Sequence, residues 1–109
     1  MADLDPAKWK DVATSRGAKY HYYYSPAQGD KVTFQFVHGY PSLGRDWRQL
    51  ALPLQAKGYG ILIPDMYGYG GTDKPSDPAL YRLKLLCQDL VDLLDAEKVQ
   101  KVIAVGHDW

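Results

Sequence analysis

The sequence holds a single cysteine, Cys87, so no disulfide can close within the chain. It also lacks net charge: thirteen basic side chains balance thirteen acidic ones. A balanced surface offers no field to gather nucleic acid or an anionic membrane, so neither is expected as a partner. No apolar run approaches the length of a membrane span, and the opening residues MADLDPAKWK lack the apolar stretch of a secretory signal. A cytoplasmic protein is expected. Repeats and low-complexity tracts are absent. The three histidines, His21, His38 and His107, show no paired spacing, so no metal site is expected.

What remains is an ordinary globular composition: 46% hydrophobic and 24% charged in 109 residues, enough for one small core. Residues 1–8 read as a loose polar arm, with one helical turn after Asp5-Pro6. The rest, 9–109, reads as one core domain. Trp9–Thr14 and Lys19–Tyr24 are rich in aromatic and β-branched residues. Ser15-Arg16-Gly17 between them supplies a tight turn, so a β-hairpin is predicted. Lys31–Val37 reads as a strand. Trp47, Leu50, Ala51 and Leu54 then fall at helical spacing. Pro53 is expected to kink that helix, and Gly58 to end it in the left-handed region. Gly60–Pro64 (GILIP) is continuously apolar, as in a strand buried on both faces.

Asp65–Pro75 is a glycine-rich loop. Asp77-Pro78 looks like a cap and first residue of a helix over 78–96, with Leu83, Leu86, Cys87, Leu90, Val91 and Leu94 on its apolar side. Cys87 is therefore expected to be a small buried apolar group. Val99–Val105 reads as a further strand. Strand, helix, strand, helix, strand after a hairpin is an α/β pattern: an antiparallel start, then parallel strands joined by crossover helices.

Ligands of open α/β sheets sit at the carboxyl ends of the strands. Three loops begin there: His38-Gly39-Tyr40-Pro41, Asp65–Gly71, and Gly106-His107-Asp108-Trp109. The glycines at 68, 70 and 71 could suggest a phosphate loop, but the Lys-Ser/Thr of a P-loop is missing. Asp65 is expected to fix its loop, and His21 to be structural. Tyr40, Tyr67 and Tyr69 are candidates to line a pocket. Trp9 and Trp47 read as packing aromatics.

HGYP at 38–41, PDMYGYGGTDKP at 64–75 and VGHDW at 105–109, in this order, resemble the epoxide hydrolase branch of the α/β-hydrolase family. The similarity runs from about the hairpin to the last residue and covers less than half of a family member. It implies the N-terminal portion of that fold, with an incomplete sheet. The family's nucleophile sits on a sharp strand-to-helix turn flanked by small residues. By this resemblance Asp108 is the nucleophile and Gly106 the first small residue. The backbone N–H groups of Tyr40 and Trp109 form the oxyanion hole, while His38, Gly39 and Pro41 shape the loop. Pro41 has no N–H to give. His107 is expected to point away from the active face.

A carboxylate suits attack at saturated carbon, because it is already ionised at neutral pH and displaces a leaving group directly. An epoxide, opened to a diol through an alkyl-enzyme ester, is the implied substrate. A haloalkane is the alternative in the same class, and a non-catalytic interaction module is the alternative outside it. No cofactor is implied. The family's base histidine, acid partner and lid tyrosines have no counterpart in the 109 residues. Asp108 would then alkylate without efficient turnover. The strand over 99–105, central in the family's sheet, would show a bare apolar edge. The carboxylate on Trp109 would oppose an oxyanion. The isolated chain is therefore expected to be marginally folded and inactive in steady state.

Overall fold

The computed structural model describes residues 3–39 and 43–106. Tyr40, Pro41, His107, Asp108 and Trp109, to which the sequence assigns roles, lie outside the described residues. Five strands form one sheet: β1 (Trp9–Ala13), β2 (Lys19–Ser25), β3 (Thr33–Val37), β4 (Gly60–Pro64) and β5 (Val102–Gly106). Helix α1 (Arg48–Ala56) lies between β3 and β4, and α2 (Leu83–Ala96) between β4 and β5. The sheet order is β1-β2-β4-β3-β5. The hairpin and the β2–β4 pair are antiparallel, whereas β4–β3 and β3–β5 are parallel. This is the α/β class expected from the sequence.

All of β4 is buried, as its unbroken apolar run requires. Alternation sends Ile61 and Ile63 to one face and Leu62 to the other. Ile61 and Ile63 join Tyr23, Phe36, Leu4 and Ala51 of α1. Leu62 joins Tyr20, Tyr22, Tyr67 and the α2 residues Leu86 and Leu93. One helix therefore covers each face, and two cores sandwich the sheet. Of residues 3–8, most are exposed, and Leu4 reaches the first core. Leu4 is buried there, and Asp5 caps the helical turn Pro6–Lys8.

Helix α1 runs through Pro53 without breaking. Pro53 is exposed, so the hydrogen bond it cannot make is lost on the water side. Leu50 is also exposed, and Ala51 carries the buried contact. Gly58 ends the helix at φ 90°, with Tyr59 N–H donating back to Leu54 O. Helix α2 ends the same way without a glycine. Lys98 takes φ 58°, and Val99 N–H donates to Leu94 O. A side chain in this left-handed region is strained. Lys98→Gly is expected to raise stability by about 0.5–1 kcal/mol, read from the urea midpoint. An unchanged midpoint would show that Lys98 carries no strain. This turn also consumes 97–99, so β5 starts at Val102 rather than Val99.

The helix expected over 78–96 is divided. Pro78–Tyr81 is a separate 3-10 turn capped by Asp77, and Arg82 is extended at ψ 138°. Leu80 O, the acceptor a continuous helix would use, instead receives Arg16 Nη1 at 2.7 Å. The buried stripe of α2 is rotated as well. Leu86, Asp89 and Leu93 face inward. Leu83, Cys87 and Val91 are exposed, which corrects the expectation of a buried Cys87.

Polar bonds clamp α2 to the hairpin. Asp89 takes Arg16 through two nitrogens, at 3.0 and 2.5 Å, and the Tyr20 hydroxyl at 2.7 Å. The bond to Asp89 holds the Arg16 guanidinium above its usual range. Burial, followed by the bond to Asp89, pushes the Tyr20 phenol up. Glu97 accepts from the Tyr22 hydroxyl and pairs with Lys10, both at 2.6 Å. Asp92 accepts from both the backbone N–H and the hydroxyl of Ser15, at 2.9 and 2.7 Å, and from Gln88.

These bonds hold the Asp92 carboxyl below the usual carboxylate range, the Ser15 N–H first among the causes. A lowered folded-state value means that the contribution is present above the unfolded carboxylate value of about 3.9 and fades as pH falls through the folded one. Asp92→Asn should therefore flatten the acid limb of the stability–pH profile. An unchanged limb would contradict the linkage.

Strand β5 lies at an edge among the described residues, as expected of this chain. It pairs with β3 alone, and Ile103 is 48% exposed. No described helix is long and apolar enough to cross a membrane.

Candidate functional site at the carboxyl ends of the parallel strands

The parallel register brings the three loops to one rim. Val37 pairs with Gly106, and Gln35 with Leu62. The loops leaving β3 and β5 therefore start side by side, and the loop leaving β4 starts on the other side of the first. Asp108 lies two positions beyond Gly106, and Tyr40 three beyond Val37.

His38 is the first residue past β3 and is buried. Met66 N–H donates to its Nε2 at 2.9 Å, so that nitrogen carries no proton. Nδ1 then holds the ring proton and donates to Gly39 O at 3.1 Å. The edge of the ring meets Tyr69, centroids 5.0 Å apart and planes at 87°. Both nitrogens are occupied by backbone, which leaves no free base on this imidazole. His21 is engaged through one ring nitrogen. It stacks on Trp9 at 4.9 Å and 6°, and its Nδ1 lies 2.7 Å from Asp11. Its backbone supports the rim: His21 O accepts from Asp65 N–H, and His21 N–H donates to Thr72 Oγ1.

Asp65 is buried at the start of the β4 loop. Its Oδ1 accepts from Gly44 N–H at 2.8 Å and its Oδ2 from Gly71 N–H at 3.1 Å. Thr72 Oγ1 donates to its carbonyl at 2.6 Å. The loop wraps so closely that a Cβ on Gly70 would stand 2.3 Å from Asp65 Oδ2. Gly70 also has φ 53°, so a side chain there is excluded by both space and conformation. These glycines thus fold the chain around a carboxylate. The sequence pointed to Asp65 as a loop brace. The dependence on Gly44 and Thr72 was not readable, because Gly44 is distant in sequence and donates only through its backbone.

Beside this rim, Met66, Tyr67, Gly68, Tyr69, Tyr81 and Leu86 border an open apolar hollow of about 500 Å³. Tyr67 and Tyr69 are therefore pocket-lining residues. Tyr67 also packs against Arg16, 4.4 Å from its ring centre, and stacks with Tyr20 at 5.7 Å. The Tyr81 hydroxyl donates to Pro75 O. Gly106 is exposed, and a Cβ added there would meet nothing within 4 Å, so its surroundings among the described residues do not require glycine. The described residues contain no group of three or more His, Cys, Asp or Glu that could hold a metal ion.

Comparison with known proteins agrees with this architecture. Residues 32–109 match the family model described as the alpha/beta hydrolase fold. Epoxide hydrolase 2 of Siraitia grosvenorii is 43% identical over 74 residues, covering 68% of this chain and 23% of that protein. An epoxide hydrolase of Caballeronia sordidicola is 37% identical over 99 residues, 91% of this chain and 29% of its own length. Among solved structures, an epoxide hydrolase from Vigna radiata superposes with a TM-score of 0.81 at 35% identity, over 93% of this chain and 32% of that one. Epoxide Hydrolase A from Mycobacterium thermoresistibile gives a TM-score of 0.82 at 33% identity, over 93% and 31%. The chain thus spans about a quarter to a third of the length of these relatives. It belongs to the α/β-hydrolase fold family, and these relatives place it in that family's epoxide hydrolase branch.

Proposed function

We propose that the chain carries the nucleophile and oxyanion loop of an epoxide hydrolase, and that by itself it performs only the first half of the reaction. The observation that supports this reading is the register pair Val37–Gly106, which starts the chain segments after β3 and β5 side by side. An Asp108 oxygen attacks an epoxide carbon. The ring C–O bond breaks, the ring oxygen takes a proton from bulk water, and an alkyl ester on Asp108 results. Water then adds to the ester carbonyl, and charge collects on its oxygen, where the Tyr40 and Trp109 N–H groups receive it. Collapse releases the diol and restores the carboxylate.

The second half needs a base to take the proton from water. His38 has both ring nitrogens on backbone groups, and His21 is stacked on Trp9 and bonded through Nδ1 to Asp11 in the hairpin. His107, beside the nucleophile, is expected to face away from the active face. The ester is therefore expected to accumulate. The epoxide reading is preferred to the haloalkane reading because the relatives above are named for epoxides.

The test is to incubate the 109-residue chain with styrene oxide and map the adduct by peptide mass. The expected result is one adduct, on Asp108. Modification scattered over surface carboxylates with Asp108 untouched would overturn the proposal.

A further inference from the structure

We infer that the outer apolar stripe of α2 seats a second copy of this chain, docked helix against helix, antiparallel about a two-fold axis. The apolar arc of α2 is wider than the sheet beneath it. Leu86, Asp89 and Leu93 are buried. Leu90 and Leu94 are half-buried beside them. Leu83, Cys87 and Val91 then carry the arc outward, away from the sheet. Leu83 is 73% exposed, Val91 46%, and Cys87 is exposed as well. Residues four apart line one ridge of a helix, the kind of ridge by which helices pack. A contiguous uncovered ridge marks an interaction surface, where a single exposed leucine does not.

Charge at the two ends of the ridge selects the occupant. Lys84 adjoins Leu83 at one end, and Asp95 continues the four-residue spacing at the other. Both side chains are exposed, and neither has an ion partner among the described residues. They stand about three turns apart, on the same flank of the ridge. With two α2 helices set antiparallel and the axis level with position 89, residues equally far on either side of 89 meet. Cys87 of one copy then faces Val91 of the other. Lys84 falls within about 1.5 Å, along the helix axis, of the other copy's Asp95. The flank is shared, because a two-fold perpendicular to the helix pair keeps each side on its own side. Each dimer thus gains the Lys84–Asp95 pair twice, which is the self-complementarity that a two-fold interface requires. Parallel docking would instead set Lys84 against Lys84 and Asp95 against Asp95.

The experiment is sedimentation velocity on the 109-residue chain in reductant, over micromolar to submillimolar concentrations. Circular dichroism checks the fold of each variant. The expected result is a monomer–dimer equilibrium, with a short bis-maleimide joining Cys87 to Cys87 where dimer is present. Val91→Glu should weaken association at least about tenfold. Lys84→Asp should weaken it about threefold to tenfold, since it turns both end pairs repulsive. Adding Asp95→Lys should restore it to within about threefold of the unsubstituted chain. Both charge changes suit the helix dipole, an acid near the N-terminus and a base near the C-terminus, so loss of helix cannot account for the weakening. A chain that stays monomeric throughout would overturn the inference. So would a double variant that associates no better than Lys84→Asp alone. A dimer indifferent to Val91→Glu and to the charge changes would also overturn it, and would place the second copy on the open β5 edge.

Discussion

Asp108→Asn is expected to abolish the adduct that styrene oxide leaves on the chain, slowing its formation by at least about a hundredfold. The side chain keeps its size, so loss of packing cannot explain the effect. What disappears is the charged oxygen. An amide oxygen is a poor nucleophile toward saturated carbon, and nothing at the rim compensates for it: His38 has both ring nitrogens engaged with backbone, and Asp65 has both oxygens engaged by N–H groups. A parallel Asp65→Asn chain should still be alkylated, which separates the two carboxylates by role. Equal labelling of Asp108→Asn and the unsubstituted chain would place the nucleophile elsewhere.

Asp89→Ala is expected to cost about 3–5 kcal/mol, the range for removing one partner of a buried ion pair. Asp89 is 1% exposed, and it takes two Arg16 nitrogens and the Tyr20 hydroxyl together. The substitution leaves a largely buried guanidinium and a fully buried phenol without their acceptor. Total stability for a domain is about 5–15 kcal/mol, so a chain of this size should be largely unfolded in modest urea. The double change Arg16→Met with Asp89→Leu should recover much of the loss, because apolar groups of similar volume replace a buried pair at little cost. Urea denaturation followed by circular dichroism checks both. A single variant as stable as the parent would show that the pair is solvated and contributes little.

The same pair shows where sequence reading reaches its limit. Asp89 sits in a helix whose leucines suggested a different inward face. A carboxylate at the centre of the buried stripe is tolerable only because Arg16 reaches it from 73 residues away. Local periodicity cannot register that partner, so it points Cys87 to the core, whereas Cys87 is exposed. Arg16 also takes Leu80 O, which is why one expected helix became a turn and a shorter helix. The features that local chemistry determines were legible. GILIP is buried throughout, Ser15-Arg16-Gly17 turns the hairpin, and Gly58 closes α1. Convergence of the three loops followed from strand order alone, since parallel strands must present their carboxyl ends together. Asp65 was legible as a brace, but its two N–H donors were not, because backbone donors leave no mark in composition.

Asp108 is proposed here as a competent nucleophile whose ester is not released by His38, since both nitrogens of that ring are held by backbone. The most direct measurement is the diol formed per chain after mixing with excess styrene oxide, with intact mass recorded on the same samples. The expected result is an adduct rising to one equivalent on Asp108, with no diol beyond the uncatalysed background. Diol accumulating to many equivalents, with the chain unmodified at the end, would contradict it.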